Sequence, residues 1–224
     1  MQDQVTTAGA RQTITVRGSG VASAEPDLVV LSFDVVGRDL SYSDAIAKLN
    51  ERVEALRSDL EAADVDRAKL KTTRFNVTVE TRFDDEKDER VFSHYRASHR
   101  MRLELASDKE LLNRVLGQMS QSTSEVAVRV SFDVSNRESL RRRAMRAAVL
   151  DAQKTASVLA ESAGATLGEI EQIDYSFIEV RTRSFSYHLG EEDAYTMPAF
   201  RAPDIKPEAL EAEEGVTIVW GISS

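Results

Sequence analysis

The sequence contains no cysteine at any of its 224 positions. Disulfide frameworks, thiolate metal sites and catalysis by a thiol are therefore excluded. A chain without cysteine is compatible with a reducing cytosol, and it is equally compatible with a cell envelope where stray thiols are a hazard. The missing cysteine does not distinguish between these compartments.

Long apolar runs are also missing, because none approaches the roughly 18 residues that a membrane-spanning helix needs. Residues 1–11 read MQDQVTTAGAR, which is polar and lacks the apolar core of a signal peptide. We therefore expect no membrane span. The chain is then either a cytoplasmic protein or a mature exported domain whose signal sequence was removed.

An excess of positive charge is absent as well. The chain has 29 Lys and Arg against 38 Asp and Glu, a formal net charge of −9. Proteins that bind nucleic acid or anionic membranes through general electrostatics need clustered basic residues in excess. We therefore expect no nucleic-acid partner.

Catalytic and metal-binding motifs are missing too. The sequence has three histidines, and no H-x-x-x-H, G-x-S-x-G or phosphate-loop motif accompanies them. His94 and His99 are five residues apart on a predicted strand, so they lie on opposite faces and cannot share a metal. The acidic run 84–90 predicts a solvated hairpin tip, with a weak divalent-cation site as the alternative. We predict a protein that is not an enzyme and has no cofactor.

What the sequence does contain is clear periodicity. Alternation of apolar and polar residues predicts seven strands: 13–17, 28–36, 73–81, 95–105, 126–134, about 170–180, and 216–222. Steps of three and four residues predict helices over 41–63, 107–121 and 135–164, starting at Ser41, Ser107 and Ser135. The third helix should bury a mostly alanine stripe: Met145, Val149, Ala152, Ala156, Leu159 and Ala163. Gly18-Ser19-Gly20 is predicted to form a turn.

The order of these elements predicts the fold class. Residues 27–106 and 125–223 both follow the order strand, helix, strand, strand, and the second stretch is interrupted by a long insertion at 181–214. We predict an α+β fold with two βαββ-type halves, in which helices cover one face of mainly antiparallel sheet. Residues 1–12 would form a disordered tail, and 13–224 would form one domain.

Arginines cluster at the start of the third predicted helix, where the helix dipole disfavours cations. Arg141, Arg142, Arg143 and Arg146 are therefore a candidate interaction surface. They could meet acidic groups on a neighbouring subunit or on segment 181–214. The alternative is a solvated basic face balanced by nearby carboxylates.

The insertion supplies a second candidate surface, because aromatic and methionine side chains in proline-containing excursions often dock on partners. Its candidate residues are Tyr187, Tyr195, Met197 and Phe200. The alternative is that these side chains fold back over the protein's own sheet.

The ordered set of segments resembles the SIMPL-domain family, which includes bacterial periplasmic immunogenic proteins. The opening ITVRGSGVASAEPDLVVLSFDV (14–35) has the family's G-x-G and Pro-Asp. KTTRFNVTVETRFDDE (71–86), YRAS (95–98), the Ala-rich helix ending in GATLGEI (164–170) and VTIVWGIS (216–223) resemble its later segments. Two departures are His94, where the family has Gly, and the acidic character of the insertion.

The resemblance implies no catalytic residues. It implies export to the bacterial envelope, a loose link to stress protection, and assembly of some members into large rings. We therefore expect a non-enzymatic, self-associating, periplasmic or secreted protein. The alternative is a protein- or peptide-binding signalling module that uses segment 181–214 or a sheet edge.

Overall fold

A computed structural model describes residues 12–121, 126–175, 187–188 and 207–223. The α+β fold class is confirmed, with antiparallel sheets and helices packed on them. The elements follow one another along the chain as β1 (Thr13–Ala24), β2 (Leu28–Asp39), α1 (Tyr42–Ala62), β3 (Lys71–Asp84), β4 (Glu89–Ala106), α2 (Lys109–Gln121), β5 (Ala127–Asp133), α3 (Arg137–Ser162), β6 (Thr166–Asp174), β7 (Tyr187–His188) and β8 (Leu210–Ser223).

The chain forms two compact units. The first contains a three-stranded sheet of order β1-β8-β6 and helix α3, and the second contains a five-stranded sheet of order β3-β4-β2-β5-β7 with α1 and α2. The order strand, helix, strand, strand holds along both predicted halves, but the strands of the second half are shared between the sheets. Strand β5 pairs with β2, whereas β8 pairs with the whole length of β1.

In the first unit, helix α3 lies directly on strand β1. Gly18 and Gly20 are inside that strand, so the predicted turn was wrong. A Cβ atom on Gly18 would stand 2.6 Å from the backbone nitrogen of Ala152. One on Gly20 would collide with the backbone of Ala144 and Ala148. Because these two positions have no side chain, the backbone of α3 can contact the backbone of β1.

The buried stripe of α3 differs from the predicted one. The helix buries residues four apart, of which all but the first are alanine: Leu140, Ala144, Ala148, Ala152, Ala156 and Ala160. Of the predicted stripe only Ala152 and Ala156 belong to it, whereas Val149 and Leu159 are exposed. The row packs on Val16, Val216, Ile218 and Trp220. Contact at glycines favours the smallest side chains over the most apolar ones.

The second unit has the larger core. Alternate residues of β2, β4 and β5 face α1 and α2, and they pack with the buried stripe of α1: Ala45, Leu49, Val53, Leu56 and Leu60. Gly37 lets α1 approach β2, since a Cβ atom there would collide with the backbone of Ala45 and Leu49. Helix α1 is therefore seated over β2 and its neighbour β4.

Two of the predicted helix caps were wrong by one residue. Asp108, rather than Ser107, accepts hydrogen bonds from the Glu110 and Leu111 amides at 2.8 and 3.2 Å. The third helix is capped by Asn136, which accepts from the Ser139 amide at 2.8 Å. Asp and Asn cap helices as well as Ser does. The sequence spacing therefore does not show which of two adjacent residues is the cap.

The last strand begins at Leu210, six residues earlier than predicted, so the end of the predicted insertion is strand. The rest of segment 181–214 lies outside the described residues except for 187–188 and 207–209, as does the predicted tail except for Gln12. Within the described part of the chain, no helix has the length and apolar character needed to span a membrane.

Substitution of Gly20 by Val should destabilise the protein by about 3 kcal/mol, because over-packing at a backbone contact forces the helix away from the strand. Urea unfolding of the purified chain measures this change. Gly117→Ala is the matched control, since open space surrounds that helical position. There the change should be neutral or stabilising by up to about 1 kcal/mol. Equal effects of the two substitutions would contradict the close contact.

Candidate functional site: an open edge strand

Strand β3 is an edge of the five-stranded sheet among the described residues, and it runs for 14 residues from Lys71 to Asp84. It hydrogen-bonds to β4 on one side. Almost every side chain along it is exposed on both faces of the sheet. Natural proteins usually shorten, charge or cover such an edge, because its unpaired backbone groups can accept another strand.

The face of β3 on the side of α1 is apolar. Helix α1 packs on β2 and β4, so the side chains further out are left uncovered. Phe75 and Val79 are 53% and 54% exposed. We call this surface the apolar flank and define it as Tyr42, Phe75, Val79, Phe83, Phe92 and Tyr95. The rings of Tyr42 and Phe92 both contact Tyr95, with centroids 5.8 and 5.2 Å away.

The opposite face of β3 is charged. Glu80 stands opposite His94 in the strand register, and their Oε2 and Nε2 atoms are 3.1 Å apart, close enough for an ion pair but not aligned as a hydrogen bond. The Nε atom of Arg96 is 3.5 Å from the other oxygen of Glu80. Arg74 stands opposite Arg100. The edge strand therefore separates an apolar surface from a charged one.

His99 lies on the side of α1, at the border between the core and the apolar flank. Its Nε2 atom is 2.8 Å from the Thr72 hydroxyl, and Phe75 meets the ring edge-on. Burial and the nearby Arg57 guanidinium lower the pKa of His99, because both disfavour the imidazolium. A hydroxyl beside an imidazole is not by itself a catalytic pair, and among the described residues no carboxylate bonds to this ring.

Arg141 is the predicted surface residue for which the structure gives a clear partner. Its Nε atom donates to Glu214 at 2.7 Å and its Nη2 atom to the Tyr175 hydroxyl at 2.6 Å. That hydroxyl donates to the second oxygen of Glu214 at 2.8 Å. The hydrogen bond to Glu214, and then that to Tyr175, raise the pKa of Arg141. Glu214 lies in strand β8, at the end of the predicted segment 181–214, so this contact is made within the first unit.

The other arginines of that cluster behave differently. Arg142 lies 3.9 Å from Glu138 one helical turn earlier, and both side chains are more than 60% exposed. Arg143 and Arg146 are exposed. Exposed pairs of this kind contribute little to stability. Tyr195, Met197 and Phe200 lie outside the described residues, and so does the side chain of Tyr187.

The Pro-Asp of the sequence has a structural role. Asp27 accepts two hydrogen bonds of 2.6 Å, from the backbone amide and the hydroxyl of Ser135. These bonds lower the pKa of Asp27. Ser135, predicted as a helix cap, instead ties the end of β5 to the start of β2. Among the described residues, no three His, Asp or Glu side chains converge as metal ligands.

Sequence reasoning missed the importance of β3. The alternation in residues 73–81 was visible, but an apolar row predicts a buried face, and here that face is exposed. The sequence signal that could have revealed its importance is symmetry. The strand carries apolar residues and opposite charges at equal distances from Val77. The arginine cluster, in contrast, was visible in the sequence. The differences between the environments of its individual arginines were not.

Arg141→Met should lower the free energy of unfolding, because it leaves the buried Glu214 carboxylate without its charged partner. The double variant Arg141→Met/Glu214→Leu should recover much of that loss, since an apolar pair can replace a buried ion pair. Urea unfolding measures both. Arg143→Met, at an exposed position on the same helix, is the control. An Arg141 variant no weaker than this control would show that the ion pair is unimportant.

The depressed pKa of His99 predicts a pH dependence of stability. The folded state favours the neutral ring, so the unfolded state binds more protons as the pH falls below its pKa of 6.5. The contribution of His99 to stability should therefore be full above that pH and should decrease as the pH falls below it. The urea midpoint of His99→Gln should fall less over the same range, and an identical fall in both proteins would refute the assignment.

Comparison with known protein families places these observations together. The profile of the SIMPL family, described as a protein of unknown function (DUF541), matches residues 14–220. This covers the G-x-G that seats α3, the Pro-Asp that binds Ser135 and the whole of the edge strand. No curated protein matches the chain. Since the match spans nearly the whole sequence, the chain belongs to the SIMPL family.

Proposed function

We propose that this protein is a non-catalytic, self-associating protein in which the β3 edge of one copy pairs with the β3 edge of a second copy. The observation that carries the proposal is a 14-residue edge strand on which Phe75, Val79 and Phe83 are exposed. An open edge and an uncovered apolar face are each a liability in an isolated protein. A single partner strand would cover both.

The sequence of β3 favours a second copy as that partner. Between its two irregularities, β3 runs without a bulge from Arg74 to Glu80, and Val77 is the middle residue. In an antiparallel pair centred on Val77, Arg74 stands opposite Glu80 of the other copy. Phe75 then stands opposite Val79, and both belong to the apolar flank. Cross-strand pairs of opposite charge and of aromatic with β-branched residues are the stabilising ones.

The same register makes the contact self-complementary. A two-fold axis through Val77 repeats each favourable pair, so both Arg74 residues meet a Glu80. The two apolar flanks meet on one side of the joined sheet. The side chains of Arg74 and Glu80 from both copies meet on the other side. The joined sheet would have no open edge at either β3.

The family resemblance also suggests a compartment and a biological role. We infer that the assembly works in the bacterial cell envelope, in a stress-related role.

A peptide-binding module is the second candidate, because the same open edge could accept an extended peptide by strand addition. The symmetry about Val77 favours a second copy, since an unrelated peptide needs no internal symmetry in its receptor. A chain that stays monomeric and captures peptides through β3 would favour this second candidate.

Charge reversal on the edge tests the self-pairing. Glu80→Arg should weaken association by roughly tenfold or more, because two attractive pairs of about 0.2–1 kcal/mol each become repulsive. The swap Arg74→Glu/Glu80→Arg should restore association, since each new Glu again meets an Arg. Sedimentation velocity over a concentration series measures the mass against the 24.9 kDa of one chain.

Ile173→Lys is the matched control, because it adds charge to the exposed edge strand β6 of the other sheet. It should leave association unchanged. Circular dichroism checks that each variant is folded. A wild-type chain that remains monomeric at tens of micromolar would overturn the proposal, and so would a charge swap that fails to restore what Glu80→Arg removes.

A further inference from the structure

The charged face of the five-stranded sheet contains three cross-strand pairs of cations. Arg38 stands opposite Arg96, Lys71 opposite Arg102, and Arg74 opposite Arg100. Cations placed directly opposite one another on adjacent strands destabilise a sheet. In each pair one arginine also contacts a carboxylate: Arg96 contacts Glu80, Arg100 contacts Asp34, and Arg102 contacts Glu104. The face therefore combines repulsive pairs with ion pairs.

The whole face concentrates positive charge. We call it the polar face, and the strand register places on it eight cations and six carboxylates. The cations are Arg38, Lys71, Arg74, Arg82, Arg96, Arg100, Arg102 and Arg129, and the carboxylates are Asp34, Glu80, Asp84, Glu89, Glu104 and Asp133. Eight minus six gives a net charge of +2. Because the entire chain carries −9, the remaining residues carry −11. The positive charge is thus segregated rather than scattered.

A shallow hollow of about 100 Å³ lies on this face. Its charged and hydroxyl-bearing lining residues are Ser32, Asp34, Arg100 and Arg129, and the small side chain of Ala127 stands opposite Asp34 and leaves room there. In the register, Ser32 stands between Arg102 on β4 and Arg129 on β5. Ser32 therefore has an arginine as its register partner on each side, and Arg100 and Arg129 line the hollow with it.

Asp34 orients one of these arginines without enclosing it. Arg100 donates from Nε at 3.2 Å and from Nη2 at 2.7 Å, and both bonds end on the same oxygen, Oδ2. The Arg100 side chain remains 51% exposed. Its position is thus fixed in advance, which lowers the entropy lost when a ligand binds.

The chemistry of the face indicates the class of ligand. Seven of the eight cations are arginine, whose planar fork matches the oxygens of a phosphate group in two parallel hydrogen bonds. The hollow accommodates one such group. No Phe, Tyr or Trp occurs among the described residues that the register assigns to this face, so it offers no ring on which a nucleic-acid base could stack.

We propose that the polar face binds a phosphate monoester, with the phosphate group in the hollow between Arg100 and Arg129 and the Ser32 hydroxyl as a further donor. The sheet positions these groups on three adjacent strands, so the site is rigid. The segregated positive charge would draw the dianion towards the hollow.

Titration calorimetry of the full chain with glycerol 3-phosphate at constant ionic strength tests this site. The wild type should bind saturably, and Arg129→Gln should bind about tenfold more weakly, because a charge-assisted hydrogen bond is lost. Arg143→Gln, which removes an exposed cation from α3, should bind as the wild type does. If Arg129→Gln fails to fold by circular dichroism, Ser32→Ala serves in its place and should also bind more weakly.

Asp34→Asn tests the sign of the ligand charge. Asn keeps a side-chain oxygen that can accept from Arg100, so the variant removes the negative charge while retaining the group that orients this arginine. It should therefore tighten the binding of a dianion, whereas it would weaken the binding of a cation or a zwitterion held through its amine. Vesicles containing phosphatidate, compared with phosphatidylcholine vesicles, distinguish a lipid headgroup from a free ester as the source. Binding to phosphatidate vesicles that Arg129→Gln also weakens would identify the headgroup.

Three results would overturn the proposal. One is no saturable heat with glycerol 3-phosphate and no selective binding to phosphatidate vesicles. Another is an equal loss of affinity in Arg129→Gln and Arg143→Gln, which would indicate only general attraction to positive charge. The third is weaker binding by Asp34→Asn with the fold retained.

Discussion

Direct contact between helix and strand backbones at glycine is the constraint on which the rest of the structure depends. Gly18 and Gly20 let α3 rest on β1, and Gly37 lets α1 rest on β2. At each site a Cβ atom would collide with a backbone atom of the helix, which cannot move aside as the end of a flexible side chain can. These glycines therefore determine where each helix lies on its sheet.

The position of each helix then determines what remains exposed. In the second unit, α1 is held over β2 and covers β4, and β3 lies beyond it with its aromatic side chains uncovered. In the first unit, contact at glycine selects a row of alanines, so the larger apolar residues of α3 lie on other faces. The exposed edge is thus a consequence of how the core is packed.

The fold class and the kind of each principal element could be predicted from the sequence, because alternation and helical steps report directly on which faces are buried. The turn at Gly18 to Gly20 was mispredicted because glycine weakens strands locally and favours turns, whereas here a tertiary contact requires it. Which strands pair with each other could not be predicted from the sequence either. Nothing local in β5 shows that it joins β2, and nothing in β1 shows that it pairs with a strand some 200 residues later.

The candidate sites were predicted less well than the fold. The arginine cluster was recognised as a group, but Arg141 is joined to a buried carboxylate while its neighbours are solvated, and only the burial of Glu214 separates them. The polar face was invisible in a chain with an acidic total, because its cations come from four strands that are distant in sequence. Register, rather than composition, brings them together.

The single tryptophan has a practical consequence. Trp220 is 3% exposed and packs in the core of the first unit with Val16, Ile218 and the alanines of α3. The second unit, with the edge strand and the polar face, has no indole of its own. Intrinsic indole fluorescence is therefore a reporter of the first unit alone. The five-stranded sheet could lose its structure while that emission stays unchanged, so its unfolding must be followed through its tyrosines or its backbone.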